Sequence, residues 1–128
     1  MMNRRTLFKW LLGGLGSAVA APIAVAEKRR VLIQESPIAG FQFHDGEYVW
    51  PSLHVGQAVK LVREPSNIHD PQAVAIYSGD AQLGYVPRVE NRAVSAMMDR
   101  GERVQARIEW LSVDENPWNR IGISIALM

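Results

Sequence analysis

The sequence predicts a mainly β domain with one main helix, built as a small, strongly curved sheet or barrel. Short segments along the chain repeatedly alternate apolar and polar residues, the period of a half-buried strand. Turn signals separate them. Only one segment, residues 87–101, changes to helical spacing. Strands therefore outnumber helices, and curling a small sheet onto itself is the usual way to remove its exposed edges.

The first 26 residues read as an address. Arg4, Arg5 and Lys9 precede an apolar stretch without acids, which ends at the small-x-small triplet Ala24-Val25-Ala26. This is the layout of an export signal, and Arg4-Arg5 followed by Leu7 and Phe8 resembles the twin-arginine type. Glycines 13, 14 and 16 argue against a buried helix there. Cleavage after Ala26 is expected, leaving residues 27–128 in the periplasm with no stable membrane insertion. An uncleaved anchor is the alternative, since the 17 uncharged residues Trp10 to Ala26 sit at the lower limit for a span. Changing both arginines to lysine is expected to strand the precursor in the cytoplasm. Cell fractionation checks this, and unimpaired export of the double variant would refute the assignment.

The strands follow in order. "RRVLIQES" carries the apolar run Val31-Leu32-Ile33. "QAVKLVRE" alternates Val59 and Leu61 against Lys60. "AVAIY" and "QLGYVP" flank Ser78-Gly79-Asp80 and form a hairpin over residues 73–86. "PRVENRAVSAMMDRG" places Val89, Ala93 and Met97 at helical spacing, with Val94 and Met98 beside them, Pro87 suited to the first turn and Gly101 to the residue past the end. "RVQARIEWLSV" sets Val104, Ala106, Ile108 and Trp110 on one face. "IGISIALM" answers with Ile121, Ile123, Ile125 and Leu127, so these last two strands are expected to pair antiparallel.

Composition limits the chemistry. The 128 residues contain no cysteine, which excludes disulfides, thiolate catalysis and cysteine-bound zinc. Net charge is +1 overall, but residues 27–128 hold 11 Lys+Arg against 13 Asp+Glu. A domain gripping many phosphates is usually clearly basic, so a long nucleic-acid footprint is disfavoured. No phosphate loop, nucleophile elbow or H-E-x-x-H motif occurs. The residues imply no cofactor. His44, His54 and His69 with Asp45 and Asp70 match no metal-ligand spacing.

Three patches interleave aromatic and polar residues on loops and strand ends, a pattern suited to stacking a ring and hydrogen-bonding its edge. They are "GFQFHDG" at 40–46, "REPSNIHDPQAVAI" at 63–76 and "LGYVPR" at 83–88. With "IAGFQF", "LVREPSNIHDPQAVAI", "LGYVP" and the helix after them in this order, the chain resembles a HIRAN domain over roughly residues 31–127. The resemblance implies a six-stranded barrel related to the OB fold that captures the 3′-hydroxyl end of single-stranded DNA. It places Phe43 and His69 as the rings that clamp a terminal base and Asp70 as the contact to the 3′-hydroxyl. Tyr85 and Arg88 fall at further strand contacts. Gln42 stands where an arginine is usual, which removes one phosphate contact, and His44 stands where a second aromatic is common. Trp118 offers one more stacking surface.

Each residue also has a plainer reading. Asn67 and Asp70 are common turn-formers, Arg63 and Glu64 can form a surface ion pair, Phe41 suits the core, and Tyr85 can complete the barrel wall. Asp70 therefore stands between a structural and a ligand-binding role. Three functions compete: a module for a single-stranded nucleic-acid end, an exported module whose pocket takes a nucleotide, a sugar or an envelope-protein partner, and an acid–base enzyme using His44, His69 and Asp70.

Overall fold

The computed structural model describes residues 30–128. The export signal expected over residues 1–26 lies outside the described residues. Six strands form one antiparallel sheet: β1 (Val31–Pro37), β2 (Ala58–Arg63), β3 (Val74–Ser78), β4 (Ala81–Tyr85), β5 (Val104–Leu111) and β6 (Ile121–Leu127). Their order across the sheet is β1-β6-β5-β2-β3-β4. The helices are α1 (Gly46–Val49), α2 (Arg92–Asp99) and α3 (Pro117–Arg120), so α2 is the one main helix expected. No helix among the described residues is long and apolar enough to cross a membrane.

The sheet curls without closing through a full ladder. Its two edge strands, β1 and β4, are linked just beyond the end of β1. Ala39 and Tyr85 exchange two backbone hydrogen bonds of 2.8 and 2.9 Å there. The chain then follows the free edge of β4. The Asp45 amide donates to the Gln82 carbonyl at 2.9 Å, and its carboxylate accepts from the Gln82 amide at 3.1 Å. On the β1 side, Ser36 donates to the Glu90 carboxylate and the Gln34 amide donates to the Glu90 carbonyl. The β4 edge is thus covered by the chain itself, while the start of β1 leaves Val31 and Leu32 exposed. The architecture is the OB-like one, mainly β and partly open.

The core sits inside the curl. Ile121, Ile123 and Ile125 of β6 meet Ala106 and Ile108 of β5, and with Phe41, Val74, Ile76 and Leu83 all are buried. The expected pairing of β5 with β6 is present, with Ile108 opposite Ile123 and Ala106 opposite Ile125. One detail differs. A register shift lies between Ile108 and Trp110, so Trp110 pairs with Gly122 and Leu111 takes the core side opposite Ile121. The extra residue reverses the alternation. Trp110 therefore leaves the face of Ile108 and lies over Gly122, where a β-carbon would collide with its ring.

Helix α2 buries only part of the stripe expected. Val89 is exposed in a 3-10 turn ahead of the helix, and Ala93 is exposed on it. Asn91, Val94 and Ser95 are buried, with Met98 packed against the core. The turn at Arg88–Glu90 breaks the helical phase, so Val89 and Ala93 fall off the inward face while Val94 and Met98 keep it. Pro87 caps that turn, not the helix. Gly101, at φ 80°, ends α2 as expected. Its amide bonds the Met98 carbonyl and that of Glu102 bonds Met97, the paired closure of a helix that ends on a left-handed residue.

Candidate nucleic-acid interface

Residues 64–73, between β2 and β3, form a loop folded by its own polar side chains. The Asn67 amide oxygen accepts from the backbone amides of His69 at 2.9 Å and Asp70 at 3.1 Å. Its nitrogen donates to the Glu64 carboxylate at 3.0 Å. This is the turn chemistry expected of asparagine. Arg63 does not pair with Glu64. Its guanidinium forms a two-point contact with Asp99 at 2.8 and 3.1 Å and donates to the carbonyls of Ala73 and Pro71. The fork geometry of arginine suits a carboxylate and two converging carbonyls at once. Hydrogen bonding to Arg63, helped by its charge, holds the Asp99 carboxyl below its ordinary pKa. Arg63 thereby ties the loop to the last turn of α2.

Glu64 is left free to accept from Tyr85, whose hydroxyl donates at 2.8 Å. The nearby Gln82 amide lowers the phenol's pKa, but burial together with the hydrogen bond and charge of Glu64 prevail and raise it above its usual value. Tyr85→Phe removes this bond and is expected to cost about 1 kcal/mol at neutral pH. A group whose folded pKa is raised contributes stability that is full below the unfolded value, near 10 for tyrosine, and is lost as pH rises through the folded value. The gap between wild type and variant should therefore shrink in alkaline solution. Denaturant melts at pH 7 and above pH 10 check this.

Loop, β4 and the turn before α2 enclose a cavity of about 290 Å³, lined by Ala39, Asn67, His69, Asp70, Ala73, Tyr85, Val86 and Arg88. Four of the seven residues singled out in the sequence meet here: His69, Asp70, Tyr85 and Arg88. His44 sits beside them, its ring edge-on to Tyr85 at 5.6 Å between centroids and its Nδ1 2.7 Å from the Gly40 carbonyl. Gln42 and Phe43 do not line the cavity. They occupy a 3-10 turn at Phe41–Phe43, so the two phenylalanines separate by helical geometry, with Phe41 buried and Phe43 78% exposed. Trp118, on α3, also lies outside the lining.

Asp70 has the structural role that the sequence offered. One carboxylate oxygen accepts from the Gln72 amide at 3.0 Å, and the other accepts from the Asn91 side chain at 2.8 Å. No cation among the described residues lies within ion-pair distance of it. Asn91 is the residue sequence reasoning missed. It precedes α2 at the position where asparagine normally caps a helix, yet its side chain makes no cap bond and serves Asp70 instead. Only its place at a helix start signalled it. Arg88 is exposed at the lining and forms no ion pair among the described residues. Among the described residues no three His, Asp or Glu groups converge on a metal position.

A curled, OB-like sheet carries a loop-walled cavity beside Tyr85 of β4. Residues 31–127 match the HIRAN domain, and the chain belongs to that family. HIRAN domains bind nucleic acid. Among solved structures, a protein from Lactobacillus plantarum superposes with a TM-score of 0.68 at 25% identity, over 77% of this chain and 95% of that one. The HIRAN domain of human HLTF superposes with a TM-score of 0.59 at 16% identity, over 77% of this chain and 78% of that one, a likeness of fold. Two curated relatives are Fanconi-associated nuclease 1 homologs. The one from Oryza sativa subsp. japonica is 26% identical over 88 residues, 66% of this chain and 9% of the relative. That from Arabidopsis thaliana is 33% identical over 66 residues, 51% of this chain and 7% of the relative. This chain thus spans less than a tenth of the relatives' length.

Proposed function

We propose that this chain is a nucleic-acid-binding module that receives the 3′-hydroxyl end of a single strand. The observation that carries the reading is Asp70. Its carboxylate is oriented by two hydrogen-bond donors, lacks a cation partner among the described residues, and borders a cavity walled by Ala39, Ala73 and Val86. An ionised carboxylate is an acceptor only. It takes a hydrogen bond from a free sugar hydroxyl and repels a terminal phosphate. Its remaining lone pairs allow this without breaking the two bonds that hold it. His69 and Tyr85 offer ring surfaces at the cavity, and the exposed ring of Phe43, one residue from His44, offers another just outside it. Stacking on such rings is worth about 1–3 kcal/mol per base. Arg88 is the cation placed to meet a phosphate.

The test is a titration of the full chain with short labelled oligonucleotides that end in a 3′-hydroxyl or a 3′-phosphate. The hydroxyl form should bind better, with a shallow salt dependence because few cations contribute. Equal binding of the two ends would falsify the end-reading. The uncharged, exposed Gln42 and the excess of acids in residues 27–128 favour a second reading. In it, the same cavity serves an exported module and takes a free nucleotide, a sugar or an envelope-protein segment. Tight binding of one of these beside weak oligonucleotide binding would select it.

A further inference from the structure

A second groove lies elsewhere on the sheet, where β2 and β5 part. Their ladder covers only two pairs, Ala58 with Arg107 and Val59 with Ala106. Beyond these, Lys60 continues in register with Tyr77 of β3, while Val104 and Gln105 pair with β6 alone. The sheet opens there into a groove of about 370 Å³, lined by residues 58–60 and 104–107. Lys60, Gln105 and Arg107 are exposed along it. Neither Lys60 nor Arg107 has a carboxylate within ion-pair distance among the described residues, as is also true of Arg88, Arg92 and Arg103; Lys60 and Arg107 are the pair that share a groove. In a domain with more acids than bases, two unpaired cations and an amide thus line one groove.

We infer that this groove is a second contact for the phosphodiester backbone of a single strand, read without regard to its end. The inference rests on the nucleic-acid reading of the chain. It does not depend on Asp70. Lys60 supplies a point charge and Arg107 a two-pronged donor for phosphate oxygens, and Gln105 donates from its amide. The walls contributed by Ala58, Val59, Val104 and Ala106 are small or aliphatic and carry no base-reading groups, so contact here is independent of sequence. Each phosphate neutralised on a single strand steepens the dependence of log affinity on log salt by about 0.7. Two cations therefore contribute about 1.4.

A circular single-stranded oligonucleotide has no ends and isolates this mode. The full chain should bind it weakly, and the affinity should fall as salt rises. The double variant Lys60→Gln, Arg107→Gln should lower that affinity about five- to tenfold, the scale of two exposed charge contacts, and flatten the salt slope by about 1.4. Its thermal midpoint should stay unchanged, since both side chains are exposed. Asp70→Ala should leave circle binding intact. No binding to the circle, or binding that the double variant leaves unaltered, overturns the groove assignment. In either case a surviving preference for the 3′-hydroxyl leaves the cavity reading standing. The converse result, circle binding lost in the double variant without any end preference, supports the groove and removes the cavity reading.

Discussion

Gly84→Ala is expected to lower the unfolding free energy by about 3–5 kcal/mol, combining backbone strain and overpacking. Gly84 lies in β4 at φ 148°, a conformation that side-chain-bearing residues rarely adopt. It sits beside the bridge between Ala39 and Tyr85 that joins the two edges of the sheet. A β-carbon there would collide with the Ala39 carbonyl oxygen, a backbone atom that cannot swing aside, and would lie 2.7 Å from Cγ2 of Ile38. Relief requires parting the bridge, which also withdraws Tyr85 and Ala39 from the cavity wall. The variant should therefore melt earlier and lose oligonucleotide binding together. Denaturant titration and binding assays on the same sample measure both. An alanine variant with wild-type stability would show that the edges do not meet as closely as this.

Removing the Asp70 carboxylate is expected to abolish discrimination between 3′-hydroxyl and 3′-phosphate ends. A hydrogen bond to a charged acceptor contributes about 1.5–3 kcal/mol, so the preference for the hydroxyl end should be roughly ten- to a hundredfold in wild type and near unity in Asp70→Ala. Alanine also leaves the buried Asn91 amide without its acceptor, at a stability cost of about 1–3 kcal/mol. Asp70→Asn separates the two effects. It keeps the shape and one oxygen for the Gln72 amide, and a flipped Asn91 side chain can offer its otherwise unpartnered oxygen to the new amide nitrogen, so the protein should stay folded while loss of the charge that repels phosphate lowers end preference. Asn67→Ala should behave in the opposite way. It frees the amides of His69 and Asp70 and removes one donor to Glu64, so stability should fall first and binding only with it. Retained end preference in both Asp70 variants would exclude this carboxylate as the reader.

These expectations draw on features that were unequally legible. The alternation in "RVQARIEWLSV" and "IGISIALM", the Gly79 turn and the Gly101 helix end reflect local backbone geometry, which each segment's residues set by themselves. The turn-forming role of Asn67 is local too, since its partners lie within three residues. The grouping of His69, Asp70, Tyr85 and Arg88 was reached through the resemblance and not through spacing. Tyr85 and Glu64 are 21 residues apart, as are Asn91 and Asp70. Nothing in local periodicity joins such pairs.

By itself, then, the sequence determined that six short strands and one main helix would form, where their turns would fall, and that a polar, proline-stiffened loop would stand between β2 and β3. The tertiary structure decided which faces those elements present. A bulge before Trp110 turned the ring away from the core because Gly122 leaves it room. The 3-10 turn ahead of α2 left Val89 and Ala93 outside and brought Asn91 inward beside the expected Val94. It also decided that Arg63 reaches Asp99, that Asn91 serves Asp70, and that β2 and β5 part to leave a groove. The physical reason is one of range. Dihedral preferences and side-chain period act over a few residues. Register, helix phase and polar partners are settled only when distant segments meet and each buried donor must find an acceptor.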